Sequence, residues 1–121
     1  MRKTLFAAFI AFCACAAQAQ PLEQFYRGRT LNLVIPNATG GSFDLYGRMV
    51  ARHIGKHLPG QPSVVAQNMP GAGGMIAANH VYNVAKPDGL TLGSPSPALY
   101  YAQLIGSKEV KFNWARFNFI G

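Results

Sequence analysis

The sequence is poor in acidic residues and in cysteine. Only four of its 121 residues are Asp or Glu, against eleven Lys or Arg, which gives a net charge of +7. The two cysteines, Cys13 and Cys15, both lie near the N-terminus. The acids are scattered and form no catalytic pair, and residues 16–121 contain no thiol for a disulfide, a nucleophile or a metal site. Composition therefore argues against a disulfide-rich domain and gives no support for an enzyme.

The N-terminal segment has the pattern of a cleavable secretion signal. The basic pair Arg2-Lys3 precedes an uncharged apolar run over 5–17, which leads into the small-x-small site Ala17-Gln18-Ala19. The run is shorter than the ~20 residues that a membrane-spanning helix needs. A lipoprotein signal ending at Cys15 is the other alternative, but the residues before that cysteine fit the motif poorly. We expect residues 1–19 to be a signal peptide, cut after Ala19, and the protein to reach the periplasm.

Removal of the signal changes the charge and the length of the chain. Nine basic residues then face four acidic ones, a net charge of +5 over residues 20–121. A basic surface attracts anionic partners, whether small carboxylates, lipid headgroups or nucleic acid, without choosing among them. The sequence ends in an apolar run, 117–120, that has the composition of a core strand, whereas chain termini are usually polar and exposed. We therefore expect residues 20–121 to be part of a domain rather than a complete one.

Three strand–turn–helix units follow one another along the chain. Short branched apolar runs predict the strands, and three- and four-residue apolar spacing predicts the helices. The predicted strands are 31–35, 63–67 and 90–93, the helices are 43–58, 75–84 and 98–105, and the loops between them are 36–42, 68–74 and 94–97. This order predicts an α/β fold with a mostly parallel sheet. All three loops then lie at the carboxyl ends of the strands, where open α/β sheets bind ligands.

The helix after the first loop has two distinct sets of side chains. Ser42 is a good N-cap residue, and Asp44 falls in the first turn, where negative charge suits the helix dipole. Apolar residues recur at Phe43, Tyr46, Val50, Ile54 and Leu58. Cations recur at Arg48, Arg52 and Lys56, and we expect them on a solvated face.

The first two loops share a proline, paired glycines and a following helix. Glycine lets the backbone approach a ligand closely, and a helix N-terminus offers N–H groups that suit a carboxylate or a phosphate. Two helix N-termini that converge would bind a carboxylate through their backbone N–H groups, without an arginine side chain. The alternative is that the glycines only make tight strand-to-helix turns, and glycine content alone favours this alternative.

Nucleotide and metal sites fit the sequence less well. The loop Gly71-Ala72-Gly73-Gly74 resembles a dinucleotide fingerprint, but Ile76 occupies the position of its last glycine and no acidic residue follows at 93–96. His53 and His57 are four residues apart, yet cationic neighbours oppose a divalent metal, so solvent-facing histidines are expected. We expect no metal and no cofactor.

Four ordered motifs resemble one protein family. They are Phe25-Tyr26-Arg27-Gly28-Arg29-Thr30, the stretch from Pro36 through Gly40-Gly41 to Asp44, Gln67-Asn68-Met69-Pro70-Gly71-Ala72-Gly73-Gly74, and Pro87-Asp88-Gly89. In this order and spacing they resemble the Bug family of tripartite tricarboxylate transporter receptors. The resemblance covers essentially the whole of residues 20–121. Two positions depart from the family pattern: Thr39 replaces the usual proline and adds a hydroxyl, and Met69 replaces a frequent arginine and removes a charge.

The resemblance implies a periplasmic-binding-protein-like receptor of class II, with only the N-terminal part of its first domain in this chain. It also implies a small organic anion of the di- or tricarboxylate class as ligand, and the membrane subunits of a tripartite tricarboxylate transporter as partners. No catalytic role and no nucleic-acid partner are expected. The candidate ligand-binding residues come from the two loops of the resemblance and from the third loop. They are Pro36, Ala38, Thr39, Gly40, Gly41, Ser42, Asp44, Asn68, Pro70, Gly71, Ala72, Gly73, Gly74, Ser94 and Ser96.

Overall fold

The structure is a computed structural model that describes residues 22–120. The expected signal peptide and its cleavage site after Ala19 lie outside these residues and stay predictions. The helices are α1 (Leu22–Tyr26), α2 (Ser42–His57), α3 (Met75–Asn83) and α4 (Ala98–Leu104). The strands are β1 (Thr30–Ile35), β2 (Ser63–Asn68) and β3 (Thr91–Gly93). Short 3-10 turns lie at Ala72–Gly74 and Trp114–Arg116.

The three strands form one parallel sheet in the order β2-β1-β3. Leu31, Leu33, Val34 and Ile35 of the central strand are each at most 4% exposed, which explains the run of branched apolar residues there. The expected α/β fold with a parallel sheet is therefore confirmed. The assignment to class II of the periplasmic-binding-protein fold stays a prediction.

Helix α2 packs on the sheet through its small residues. A Cβ on Gly47 would lie 2.6 Å from Cδ1 of Ile35, and a Cβ on Gly55 would lie 2.5 Å from the carbonyl oxygen of Pro62. The apolar spacing predicted the helix correctly but not its buried face, because Phe43 is 47% exposed and Tyr46 67% exposed. Close approach of the helix backbone to the sheet thus puts the glycines inside and part of the apolar row outside.

The segment after α4 packs against the helices without forming a strand. Its Phe112 joins Met75, Ala78 and Leu99 of the helices in a buried core cluster, with Trp114 and Phe117 packed alongside. Two asparagines one turn apart on α3 hold its backbone: Asn79 accepts from the N–H of Lys111 at 2.9 Å, and Asn83 donates to the carbonyl of Lys111 at 2.9 Å. The prediction of a strand at 117–120 was wrong, because its aromatic side chains stack on one another and on the helices instead.

Among residues 22–120, no helix combines the length and the apolar character needed to cross a bilayer.

Candidate functional site

The three strand-to-helix loops meet at one edge of the sheet. Met69, directly after β2, donates its N–H to the carbonyl of Ile35 at 2.8 Å, and Ser94, directly after β3, donates to the carbonyl of Val34 at 3.1 Å. These bonds join the starts of the second and third loops to the end of β1. The predicted clustering of the loops at the carboxyl ends of the strands is therefore confirmed.

The first loop enters α2 through two glycines with different backbone conformations. Gly40 has φ +93°, and Gly41 is the N-cap residue with φ −80°. Ser42, expected to be the N-cap, is instead the first helical residue, and the N-cap makes no side-chain bond. Oδ2 of Asp44 accepts the N–H of Gly40, the residue before the N-cap, at 2.8 Å, so this carboxylate fixes the loop that leads into the helix.

The second loop is built from four successive residues with positive φ. These are Gly71 (134°), Ala72 (46°), Gly73 (63°) and Gly74 (93°). Gly74 is buried, and a Cβ there would lie 3.1 Å from Cβ of Pro36, so this glycine brings the two loops into contact. Gly73 faces open space, with nothing within 4 Å of an added Cβ. Gly74 thus lets the two loops pack together, and Gly73 leaves room for a ligand to approach.

Asp44 is the buried charged centre of this edge. It is 1% exposed, and Nε of Arg48 lies within 3.0 Å of both of its oxygens. Its Oδ1 also accepts the side-chain amide of Asn68 at 2.8 Å. Bonds from Arg48 first, then from the Gly40 N–H and the Asn68 amide, lower the pKa of Asp44 from 3.8 to about 2. The carboxylate is therefore ionised at every physiological pH.

Asn68 links the first loop to the second. Its amide nitrogen donates to Asp44 and to the carbonyl of Asn37 at 2.9 Å. Its amide oxygen accepts from Nη2 of Arg48 at 2.7 Å and from the hydroxyl of Thr39 at 3.3 Å. All four bonds that an asparagine side chain can make are thereby used within the protein.

Arg48 does not lie on a solvated face, contrary to the expectation. Its side chain is 36% exposed, and its guanidinium bonds to both Asp44 and Asn68. The four-residue spacing from Asp44 was visible in the sequence as a helical ion-pair spacing. The bond to Asn68 was not, because it joins residues 20 apart.

The predicted contact residues divide by exposure. The exposed ones, which a ligand could reach, are Ala38, Thr39, Gly40, Gly41, Ser42, Pro70, Ala72 and Gly73. The half-buried ones are Asn68, Gly71, Ser94 and Ser96, and the buried ones are Pro36, Asp44 and Gly74. The hydroxyl oxygen of Ser96 already accepts one hydrogen bond, from the N–H of Ala98 at 3.3 Å. The exposed set is mostly backbone with little side chain, so any ligand bonds there come chiefly from N–H groups.

One further surface feature lies beside the loop edge. A shallow, open groove between α2 and β2 is lined by Arg48, Ala51, Arg52, Val64 and Ala66. Its polar lining is limited to the side chains of Arg48 and Arg52, and Arg48 is already bonded to Asp44 and Asn68. In the part of the chain that the structure describes, no three His, Cys, Asp or Glu side chains gather as a metal site.

Comparison with known proteins identifies relatives of this chain. A UPF0065 protein of Cupriavidus necator is 35% identical over 113 residues, which are 93% of this chain and 32% of that protein. A UPF0065 protein of Bordetella bronchiseptica is 40% identical over 83 residues, 69% of this chain and 23% of the relative. Protein BugT of Bordetella pertussis is 40% identical over 82 residues, 67% of this chain and 24% of BugT. The chain belongs to the Bug family.

The Bug-family chain therefore spans about a quarter to a third of the length of the curated relatives it matches. No family model matches it, and no solved structure matches it.

Proposed function

We propose that this Bug-family protein is a periplasmic receptor for a small organic anion of the di- or tricarboxylate class, which it delivers to the membrane subunits of a tripartite tricarboxylate transporter. Its family membership and the secretion-signal pattern of residues 1–19 support this role. The excess of basic over acidic residues adds a general attraction for anions.

The observation that carries the proposal is the pair of glycine loops at the start of α2 and α3. Both are exposed at Gly41 and Gly73, and both are held in one arrangement by Asn68 and by the contact of Gly74 with Pro36. N–H groups at the start of a helix have no partner within the helix and carry partial positive charge. A carboxylate that approaches the first turn of α2 would accept from these groups.

The geometry limits which N–H groups are free to bind the ligand. The N–H of Gly40 is taken by Asp44, and that of Gly74 bonds to the carbonyl of Gly71 at 2.9 Å. The exposed N–H groups at Gly41, Ser42 and Gly73 lie at or beside the two helix starts and are the candidates that we select. Ligand recognition would then be a matter of backbone shape and dipoles, and the protein's role is capture rather than catalysis.

Calorimetry on the full chain with a small ligand panel tests the proposal. Citrate and succinate represent tri- and dicarboxylates, AMP tests the nucleotide alternative, and ribose is a neutral control. We expect a carboxylate to bind with an affinity that changes little between low and moderate salt. Binding of AMP alone would contradict the receptor role. Binding of any polyanion, with an affinity that collapses as salt rises, would indicate a non-specific basic surface instead.

Localisation has its own test. Intact-mass analysis of protein from the periplasm should show a chain that begins at Gln20. A retained Met1, or a lipid attached at Cys15, would contradict the proposed export route.

A further inference from the structure

A carboxylate of the protein already lies under the proposed anion site. Asp44 is in the first turn of α2, is 1% exposed, and accepts the N–H of Gly40 from the loop above it. A second carboxylate that binds at the same helix start is repelled by this charge unless the charge is compensated. Binding of an anionic ligand therefore depends on whatever neutralises Asp44.

Arg48 supplies that compensation and also joins the loops. Among residues 22–120 it is the only cation within ion-pair distance of Asp44, with Nε 2.9 Å from Oδ1. Its Nη2 donates to Asn68 at 2.7 Å, and Asn68 in turn holds the first loop at the carbonyl of Asn37. A single planar guanidinium donates to both acceptors in a fixed geometry, which the ammonium group of a lysine does not reproduce.

We propose that Arg48 is a positioning residue for anion capture: it neutralises Asp44 and holds the two glycine loops as one preformed surface, without touching the ligand. This rests on the proposed function and adds a residue that contact with the ligand would not reveal. The groups of Arg48 that face the loops are already bonded to Asp44 and Asn68. Its effect on the ligand is therefore indirect and passes through the charge of Asp44 and the position of the loops.

Calorimetry with citrate and succinate on four variants of the full chain tests the inference. Arg48→Ala should lower affinity by about tenfold or more, since it leaves a buried carboxylate uncompensated. Arg52→Ala is the matched control: it removes the same charge one turn further along an exposed part of α2, and it should change affinity by less than about twofold. The affinity of Arg48→Lys should fall between those of the two alanine variants, because lysine restores the positive charge but not the planar set of N–H donors.

The double variant Arg48→Ala/Asp44→Asn separates compensation from direct contact. Removing the uncompensated charge should recover most of the affinity that Arg48→Ala loses, because the introduced side-chain amide still offers an oxygen to the N–H of Gly40. A double variant as weak as Arg48→Ala, or weaker, would mean that Arg48 binds the ligand itself or acts only as a structural support, and would overturn the inference. Unchanged affinity in Arg48→Ala would overturn it as well.

A second measurement does not need a ligand. If the wild-type chain binds neither acid, the proposed function fails, and the positioning role is judged on hydrogen exchange at the Gly40 amide. That amide should be protected in the wild type and in Arg52→Ala, and should exchange at least about tenfold faster in Arg48→Ala, since the bond to Asp44 would loosen. Equal protection in all three proteins would overturn the inference.

Discussion

At the scale of single residues, the adjacent glycines Gly40 and Gly41 differ in what a methyl group would do. Gly40 has φ +93°, where an L-residue is strained by ~1–2 kcal/mol, whereas Gly41 has φ −80° and an added Cβ would lie 3.9 Å from its nearest neighbour, the carbonyl of Ala38. We expect Gly40→Ala to lower the free energy of unfolding by ~1–2 kcal/mol. Gly41→Ala should leave the free energy of unfolding unchanged or raise it slightly. Urea denaturation measures both, and equal losses would contradict the assigned backbone conformations.

Asp44 predicts a pH dependence of stability. Bonds from Arg48, Gly40 and Asn68 put its folded pKa at about 2, below the ordinary 3.8. A depressed carboxyl pKa contributes stability that is complete above the unfolded value and is lost as pH falls towards the folded value. The difference in unfolding free energy between wild type and Asp44→Asn should therefore shrink as pH falls from about 4 to about 2. Denaturation curves at fixed pH values test this; a difference that stays constant over that range would contradict it.

At the scale of the elements, the two glycines of α2 set how closely the helix lies on the sheet. A Cβ on Gly55 would meet the backbone oxygen of Pro62 at 2.5 Å, which cannot move aside, whereas a Cβ on Gly47 would meet Cδ1 of Ile35 at 2.6 Å, the movable end of a side chain. We expect Gly55→Ala to destabilise the protein by ~1–3 kcal/mol and Gly47→Ala by less, because alanine also favours the helix. Thermal and urea unfolding of both variants measure the order, and the reverse order would contradict this packing.

The sequence predicted the elements better than it predicted their contacts. The strands and helices of the three units begin and end within one residue of the expected positions, because apolar spacing and the Gly and Pro breaks are local signals. The buried face of α2 was not predictable in this way, since Gly47 and Gly55 carry no hydrophobic signal. The role of Arg48 also depends on Asn68, which only the fold brings near.

The third loop and the last segment also show that contacts are harder to predict from sequence than elements are. Ser94 and Ser96 were placed at the site by the strand order, and the structure puts Ser94 beside β1 through its bond to Val34. The run at 117–120 has strand composition, but the side chains of Phe117 and Phe119 stack with Trp114 rather than joining the sheet. Composition alone does not distinguish a strand from an aromatic segment that packs on helices.

At the scale of the whole molecule, the described surface carries several large apolar side chains. Neighbouring residues Tyr101, Leu104 and Ile105, at the end of α4, are 65%, 62% and 83% exposed. Exposed apolar groups of this kind favour association. We expect residues 20–121, produced alone, to associate as their concentration rises, and Ile105→Ser to reduce that association. Sedimentation over a range of concentrations tests this, and a wild-type species that stays monomeric throughout would contradict it.

The proposed function requires that backbone N–H groups of the two glycine loops hold the carboxylate. The most direct test is to titrate citrate or succinate into the nitrogen-15-labelled full chain and follow its amide resonances. We predict that the largest shifts occur at Gly41, Ser42 and Gly73, with small shifts at Arg52 and Lys56 on the cationic row of α2. Shifts concentrated at Arg52 and Lys56, with the loop amides unmoved, would contradict the claim and assign the anion to side-chain cations.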